Sequence, residues 1–253
     1  MIPLNELVNY TDTLLDSSRY RDYCPNGLQV QGMPEVNRMV SAVTASQDAI
    51  QTAIERGADL LLVHHGYFWE GEEPGITGIK YRRIKMLMDN DISLLAYHLP
   101  LDAHVELGNN AQLARVLGLQ SEGAVQNEPD QPGLVFKGRL SAPMSPNEVS
   151  AHLSKSLGRK ALHIDGGGDI IETLAWCTGA AQGYIEFAAA LGVDAYISGE
   201  ISEQTVHAAR ELGIHYFAAG HYATECYGVQ ALGEHLAEQF HLSHEFVPQD
   251  NPA

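Results

Sequence analysis

Three short stretches of this sequence set imidazoles and carboxylates at spacings suited to metal binding: His64-His65, His98 with Asp102, and His221 with Glu225. Neighbouring histidines on an extended segment point to opposite sides, so one cation seldom takes both. Either two adjacent cations take one ring each, or one ring binds and the other supports. His221 and Glu225 lie four apart where a helix should begin, which puts both on one helical face. Such a pair binds one cation, or its carboxylate bridges two. Asp102 follows Leu99-Pro100, a dipeptide expected to bar a regular helix and leave the carboxylate on a loop, where it could also bridge. Three imidazoles and two carboxylates suit zinc, manganese, iron, cobalt or nickel better than calcium or magnesium. Cations about 3.5–4 Å apart could share a hydroxide nucleophile at neutral pH. Two divalent cations outweigh two carboxylates and one hydroxide, so the site would attract a phosphate or another small anion.

Other residues have competing readings. His98 could orient a ligand or act as general acid or base, or be an ordinary hydrogen-bonded histidine at a strand end. His104 is a further candidate near the site. Glu200 could carry a proton or hold His221, or simply cap a helix. Tyr67, Phe68 and Trp69 could stack on a nucleobase, or form a subunit contact, where aromatics are enriched. Cys226 adjoins Glu225 but faces elsewhere on a helix and has no assigned role. Gly166–Gly168 reads as a flexible turn, without the Lys-Ser/Thr of a phosphate loop.

These residues need elements to position them, and the chain supplies a pattern that occurs twice. A first helix, Leu4–Asp16, precedes it. The first copy runs from a strand at Val40–Ser46 through a helix stopped at Gly57 to a buried strand, Leu60–Val63, ending at His64-His65. A helix around Tyr81–Asp89 leads to a strand within ISLLAYHLPLD and a last helix in GNNAQLARVLGL. The second copy has strands in LAWCTGA, AYIS and IHYFAAGHYATE, with helices in YIEFAAALGVD, SEQTVHAARELG and VQALGEHLAEQF. Gly57-Ala58-Asp59 matches Gly192-Val193-Asp194, His98 matches His221, and Glu200 matches His65. Alternating strands and helices imply an α/β chain of two similar domains, with helices covering mainly parallel sheets. The expected domains are residues 1–125 and 126–253, divided in the polar stretch Gln120–Gly133, which holds Pro129 and Pro132. In parallel α/β folds ligands gather at the carboxyl ends of strands, and all three clusters fall at such ends.

Composition narrows the class. A length of 253 residues holds one large or two ordinary domains, and 45% hydrophobic with 19% charged residues describes a globular chain. A net charge of −17 repels a phosphate backbone, which disfavours broad nucleic-acid binding. The apolar run near Leu60–Val63 is far too short for a bilayer, and the N-terminal stretch lacks the pattern of a signal peptide. Cys24, Cys177 and Cys226 are scattered and odd in number. They argue against a disulfide framework and for a reducing, cytoplasmic setting.

Together, DYCPNGLQVQG, ADLLLVHHGYFW, YHLPLDAHVELGNNAQLA, AWCTGAAQGYI, DAYISGEISEQTVH and AAGHYATE resemble the GTP cyclohydrolase 1 type 2 homolog family. The resemblance covers nearly the whole chain and is weakest between about Gln120 and Ile170. It implies two related α/β domains with a dinuclear metal site between them, in a toroidal homohexamer whose metals face an internal cavity. It implies two divalent ions per chain held by His64, His65, Asp102, His221 and Glu225, with Glu225 as the bridge. Family members often carry a proline after the paired histidines; Gly66 stands there in this chain, a change expected to alter the loop. The first functional hypothesis is a metal-dependent hydrolase of a small anionic or nucleotide-like substrate, with His98 or Glu200 moving protons. For GTP, attack would open the imidazole ring of guanine, and phosphoester hydrolysis fits the metals equally well. The alternative is a metal-binding regulatory or scaffold ring without turnover.

Overall fold

The computed structural model describes residues 1–126 and 131–253. They form two compact units, Met1–Leu101 with Gly228–Asp250, and Asp102–Tyr227 with Asn251–Ala253. None of the described helices is long and apolar enough to cross a membrane.

The first unit opens with β1 (Ile2–Pro3), α1 (Leu4–Leu14), β2 (Gly27–Val30), β3 (Glu35–Val36) and β4 (Arg38–Thr44). Then come α2 (Gln47–Glu55), β5 (Leu60–His65), α3 (Gly78–Asp89), β6 (Ser93–Ala96) and the start of α4 (Leu99–Ala103). Pro3 immediately precedes α1, where its fixed φ favours helical entry. The Ser46 side chain accepts the Ala49 amide and starts α2. β4, β5 and β6 are parallel, and β2 closes one edge antiparallel to β6. The other edge is β13 (Ser243–Phe246), parallel to β4. Nothing in the sequence reading anticipated β13. Val40, Ala42, Leu61, Val63, Leu94 and Ala96 bury one face of this sheet with Ile50 and Ala53 of α2 and Ile84 and Leu87 of α3.

The second unit contains α5 (Asn109–Val116), β7 (Gln120–Val125), β8 (Val135–Met144), α6 (Pro146–Leu157), β9 (Leu162–Ile164) and β10 (Ile171–Cys177). It continues with α7 (Ile185–Ala190), β11 (Ala195–Ser198), α8 (Glu203–Leu212), β12 (His215–Ala218) and α9 (His221–Phe240). β10, β11 and β12 are parallel. β7, β8 and β9 add antiparallel pairings at the two sides, so this sheet is mixed around a parallel centre.

The expected division after residue 125 is not where the compact units part. Residues Gln120–Val125 are a strand of the second unit's sheet, hydrogen-bonded to β8. The units divide instead after Leu101, and again within α9 after Tyr227. Pro129, part of the expected linker, lies outside the described residues.

The repeat is visible bond by bond. Asp59 N–H donates to Arg38 O and Asp59 O accepts from Ser93; Asp194 N–H donates to Thr173 O and Asp194 O accepts from His215. Asp59 Oδ2 also takes the amides of Asn37 and Arg38, as Asp194 Oδ2 takes those of Glu172 and Thr173. This register corrects one expected correspondence. Ser93 matches His215, so His98 stands level with Gly220 rather than with His221. Burial alone would raise the Asp194 carboxyl, but the Thr173 and Glu172 amides and the Thr173 hydroxyl outweigh it and hold the group below its ordinary range. Asp194→Ala is expected to cost about 1–3 kcal/mol in urea unfolding at neutral pH. The cost should shrink as pH falls through the depressed folded-state pKa, where wild type loses the same contribution.

Candidate metal centre

The carboxyl ends of β5 and β6 bring three histidines of the first unit together. One nitrogen from each of His64, His65 and His98 lies within 4.8 Å of one from each of the others. Ring centroids are 4.5 Å apart for His64 and His65, and 5.1 Å for His64 and His98. His64 is fully buried, and its Nδ1–H donates to Tyr97 O at 2.9 Å. His65 Nδ1 pairs with Thr44 Oγ1 at 3.1 Å, and His98 Nδ1–H donates to Asp22 Oδ1 at 2.7 Å. An acceptor-only oxygen on Nδ1, as at His64 and His98, makes Nε2 the basic nitrogen, the usual support for a metal-ligating histidine, whereas the Thr44 hydroxyl at His65 can donate or accept.

The loop after His65 turns sharply. A Cβ on Gly66 would fall 2.2 Å from Gln29 Oε1 and 2.7 Å from Ala96 Cβ, so the space a side chain would need is taken. Gln29 Oε1 accepts the Tyr67 amide at 2.7 Å and holds the turn. The Tyr67 hydroxyl is bonded to Ala45 O in the interior, which removes Tyr67 as a stacking surface. Trp69 sets its ring edge-on to His98 at 4.9 Å. His104 Nδ1 accepts the amides of Glu106 and Leu107 and closes a turn.

The carboxylates gather in the second unit. Asp102 does not sit on a loop. α4 forms across it, because Pro100 falls in the first helical turn, where a missing N–H costs nothing. Asp102 Oδ1 accepts from Asn109 Nδ2 at 2.8 Å and from the Thr178 hydroxyl at 3.2 Å. Asp102 and Glu225 are 7% and 2% exposed, and an oxygen of each lies within 4.8 Å of the other. His221 begins α9, with Nε2 3.1 Å from Glu225 Oε2 and Nδ1 2.8 Å from Glu200 Oε1. Of the roles open to Glu200, this geometry has it holding His221. Burial would depress the His221 pKa, but Glu225 and then Glu200 outweigh burial and carry it up to about 9.

This donor set fits a cation. Two close, buried carboxylates repel unless positive charge lies with them. A proton on His221 supplies it in the metal-free chain, and a divalent cation would displace that proton. Room for the carboxylate is kept by Gly179, whose φ is +67° and whose Cβ would fall 2.0 Å from Glu225 Oε1. Burial, then the charges of Asp102 and Glu225, hold the neighbouring Cys177 thiol well above its usual range. The sequence reading missed Gly179, Thr178, Asn109 and Asp22 as site residues. Each lies in or beside a quoted motif, but only the folded chain shows its partner.

A family model described as Duf34/NIF3 (NGG1p interacting factor 3) matches residues 2–252. The GTP cyclohydrolase 1 type 2 homolog of Pseudomonas aeruginosa is 56% identical over 253 residues, spanning 100% of this chain and 99% of that one. The structure of protein ybgI, described as of unknown function, is 47% identical with a TM-score of 0.95, and each chain is covered completely. TTHA1606 from Thermus thermophilus is 34% identical with a TM-score of 0.89, again over 100% of both chains. The family model and these relatives span nearly the whole chain, and the chain belongs to the Duf34/NIF3 family.

Proposed function

We propose that this chain is a dinuclear divalent-metal protein that hydrolyses a small anionic or nucleotide-like substrate, with His64, His65, Asp102, His221 and Glu225 as the metal ligands. The observation that carries the reading is the buried pair Asp102 and Glu225, with His221 drawn against Glu225. Such charge is costly to bury without a cation. Zinc, iron, manganese, cobalt and nickel all suit this mixture of imidazole and carboxylate. When bound, two such cations polarise the reacting centre and lower the pKa of water there. Glu200 orients His221 through Nδ1, and His98, set among the histidines, is placed to accept a proton at Nε2. Cationic charge at the site would draw in an anion despite the net charge of −17. The name shared by the relatives makes GTP the first substrate to try, and phosphodiesters the second. The homohexameric ring implied by the resemblance and the cytoplasmic setting expected from the scattered cysteines belong to the same proposal.

The test is an assay of metal-loaded protein against GTP and a phosphodiester panel. The expected result is turnover that falls at least about 100-fold in Glu225→Ala. No turnover of any substrate, or turnover untouched by that substitution, defeats the hydrolytic reading. If chelation then dissolves the oligomer, the protein is a metal-dependent scaffold instead.

A further inference from the structure

The turn-rich segment before β2 has an unexpected connection to the histidine cluster. The Asp22 side chain is 3% exposed, and both oxygens are engaged. Oδ1 accepts from His98 Nδ1 at 2.7 Å and from the Tyr23 amide at 2.7 Å. Oδ2 accepts from Asn26 Nδ2 at 2.8 Å and from the Leu99 amide at 2.9 Å. Asn26 Oδ1 in turn accepts the His98 amide at 2.7 Å. The ring and the main chain of His98 are thus both located by residues 22–26.

We propose that Asp22 is the positioning residue of the histidine cluster, fixing His98 with its proton on Nδ1 so that the Nε2 lone pair serves whatever His64 and His65 hold. Three observations support this. Each of the three rings has an oxygen on Nδ1, and at His98 that oxygen belongs to a carboxylate, which fixes the tautomer and the ring orientation. A carboxylate buried this deeply is costly as a mere turn-former, because an amide or hydroxyl could accept the two backbone amides without charge. Cys24, whose sulfur lies within 4.8 Å of this pair, does not compete as a ligand: burial, with the Asp22 charge adding, pushes its thiol up to about 12. The proposal rests on the metal reading only for what the cluster holds. The tautomer is a property of the metal-free chain.

The experiment uses full-length, metal-free protein labelled with nitrogen-15 at histidine, at a pH where free imidazole is neutral. Long-range proton–nitrogen spectra of wild type should show His98 protonated at Nδ1 and bare at Nε2. Asp22→Asn keeps the shape and removes the charge, so the two His98 nitrogens should shift toward tautomeric averaging. His64, held by Tyr97 O, should not move. Zinc titration of the same variant should show reduced affinity, because a proton on Nε2 would face a cation held by His64 and His65. A proton on Nε2 of wild-type His98 overturns the proposal, and this outcome needs no variant to fold. So does an unmoved His98 in folded Asp22→Asn, a joint shift of His64 and His98, or a shifted tautomer with unchanged zinc affinity. Failure of wild type to bind any metal would instead strike the dinuclear reading and leave the wild-type tautomer to decide this one.

Discussion

Glu225→Ala is expected to lose most of its metal, with affinity falling by more than the roughly 100-fold that marks the loss of a supporting partner. The carboxylate is 2% exposed, contacts His221 Nε2 at 3.1 Å and has an oxygen within 4.8 Å of one of Asp102. If it bridges two cations, its removal disturbs both, whereas His64→Ala removes one ligand from one cation. His64→Ala should therefore keep more metal, and equal losses would count against the bridge. The stability signature is distinctive. In chelator-treated protein, Glu225→Gln relieves repulsion with Asp102 but also breaks the pair with protonated His221, so Tm should fall. In metal-loaded protein the same substitution should abolish the rise in Tm that bound metal gives wild type. A buried glutamate serving only the fold would leave that metal-dependent rise in place.

Gly179→Ala is expected to be the most damaging substitution that replaces no ligand. Its φ of +67° costs a side chain about 1–2 kcal/mol, and the added Cβ would fall 2.0 Å from Glu225 Oε1 and 3.2 Å from His221 Nε2. The backbone cannot step aside easily. Gly179 N–H donates to Thr224 Oγ1, and its carbonyl accepts from the Gly199 and Glu200 amides and the Ser198 hydroxyl. The carboxylate must therefore move, and metal affinity should fall with it. Gly192→Ala is the control, since Gly192 has φ +68° and nothing within 4 Å of the added Cβ. Both variants should lose stability through backbone strain, in chemical unfolding followed by circular dichroism. Only Gly179→Ala should also lose metal. Equal metal content in the two would remove Gly179 from the site.

Much of the architecture was legible because the central parallel strands are short and apolar, and helices with clear stops separate them. Leu60–Val63 and Ala195–Ser198 stand where apolar runs place them, and His221 starts a helix as its spacing with Glu225 requires. The duplication showed through Gly57-Ala58-Asp59 and Gly192-Val193-Asp194, whose aspartates make the same backbone bonds in both units. The failures have physical causes. Pro100 was read as a helix breaker, although it sits in the one turn where proline does no harm. Gln120–Val125 carries a polar strand that pairs at a sheet edge, where no alternating apolar pattern is needed. β13 belongs to a sheet formed far earlier in the chain, a pairing that local periodicity cannot express. Asp22 and Gly179 act through partners 76 and 46 positions away, His98 and Glu225. Their residue types alone suggest nothing beyond a turn.

The central claim is most directly tested by elemental analysis of purified protein after exposure to zinc, manganese, iron, cobalt and nickel and removal of loose ions. About two divalent ions per chain are expected, falling in each single alanine variant of His64, His65, Asp102, His221 and Glu225, and falling furthest for Glu225. Folded wild-type protein that takes up none of these metals, or whose metal content is indifferent to all five substitutions, would contradict the account.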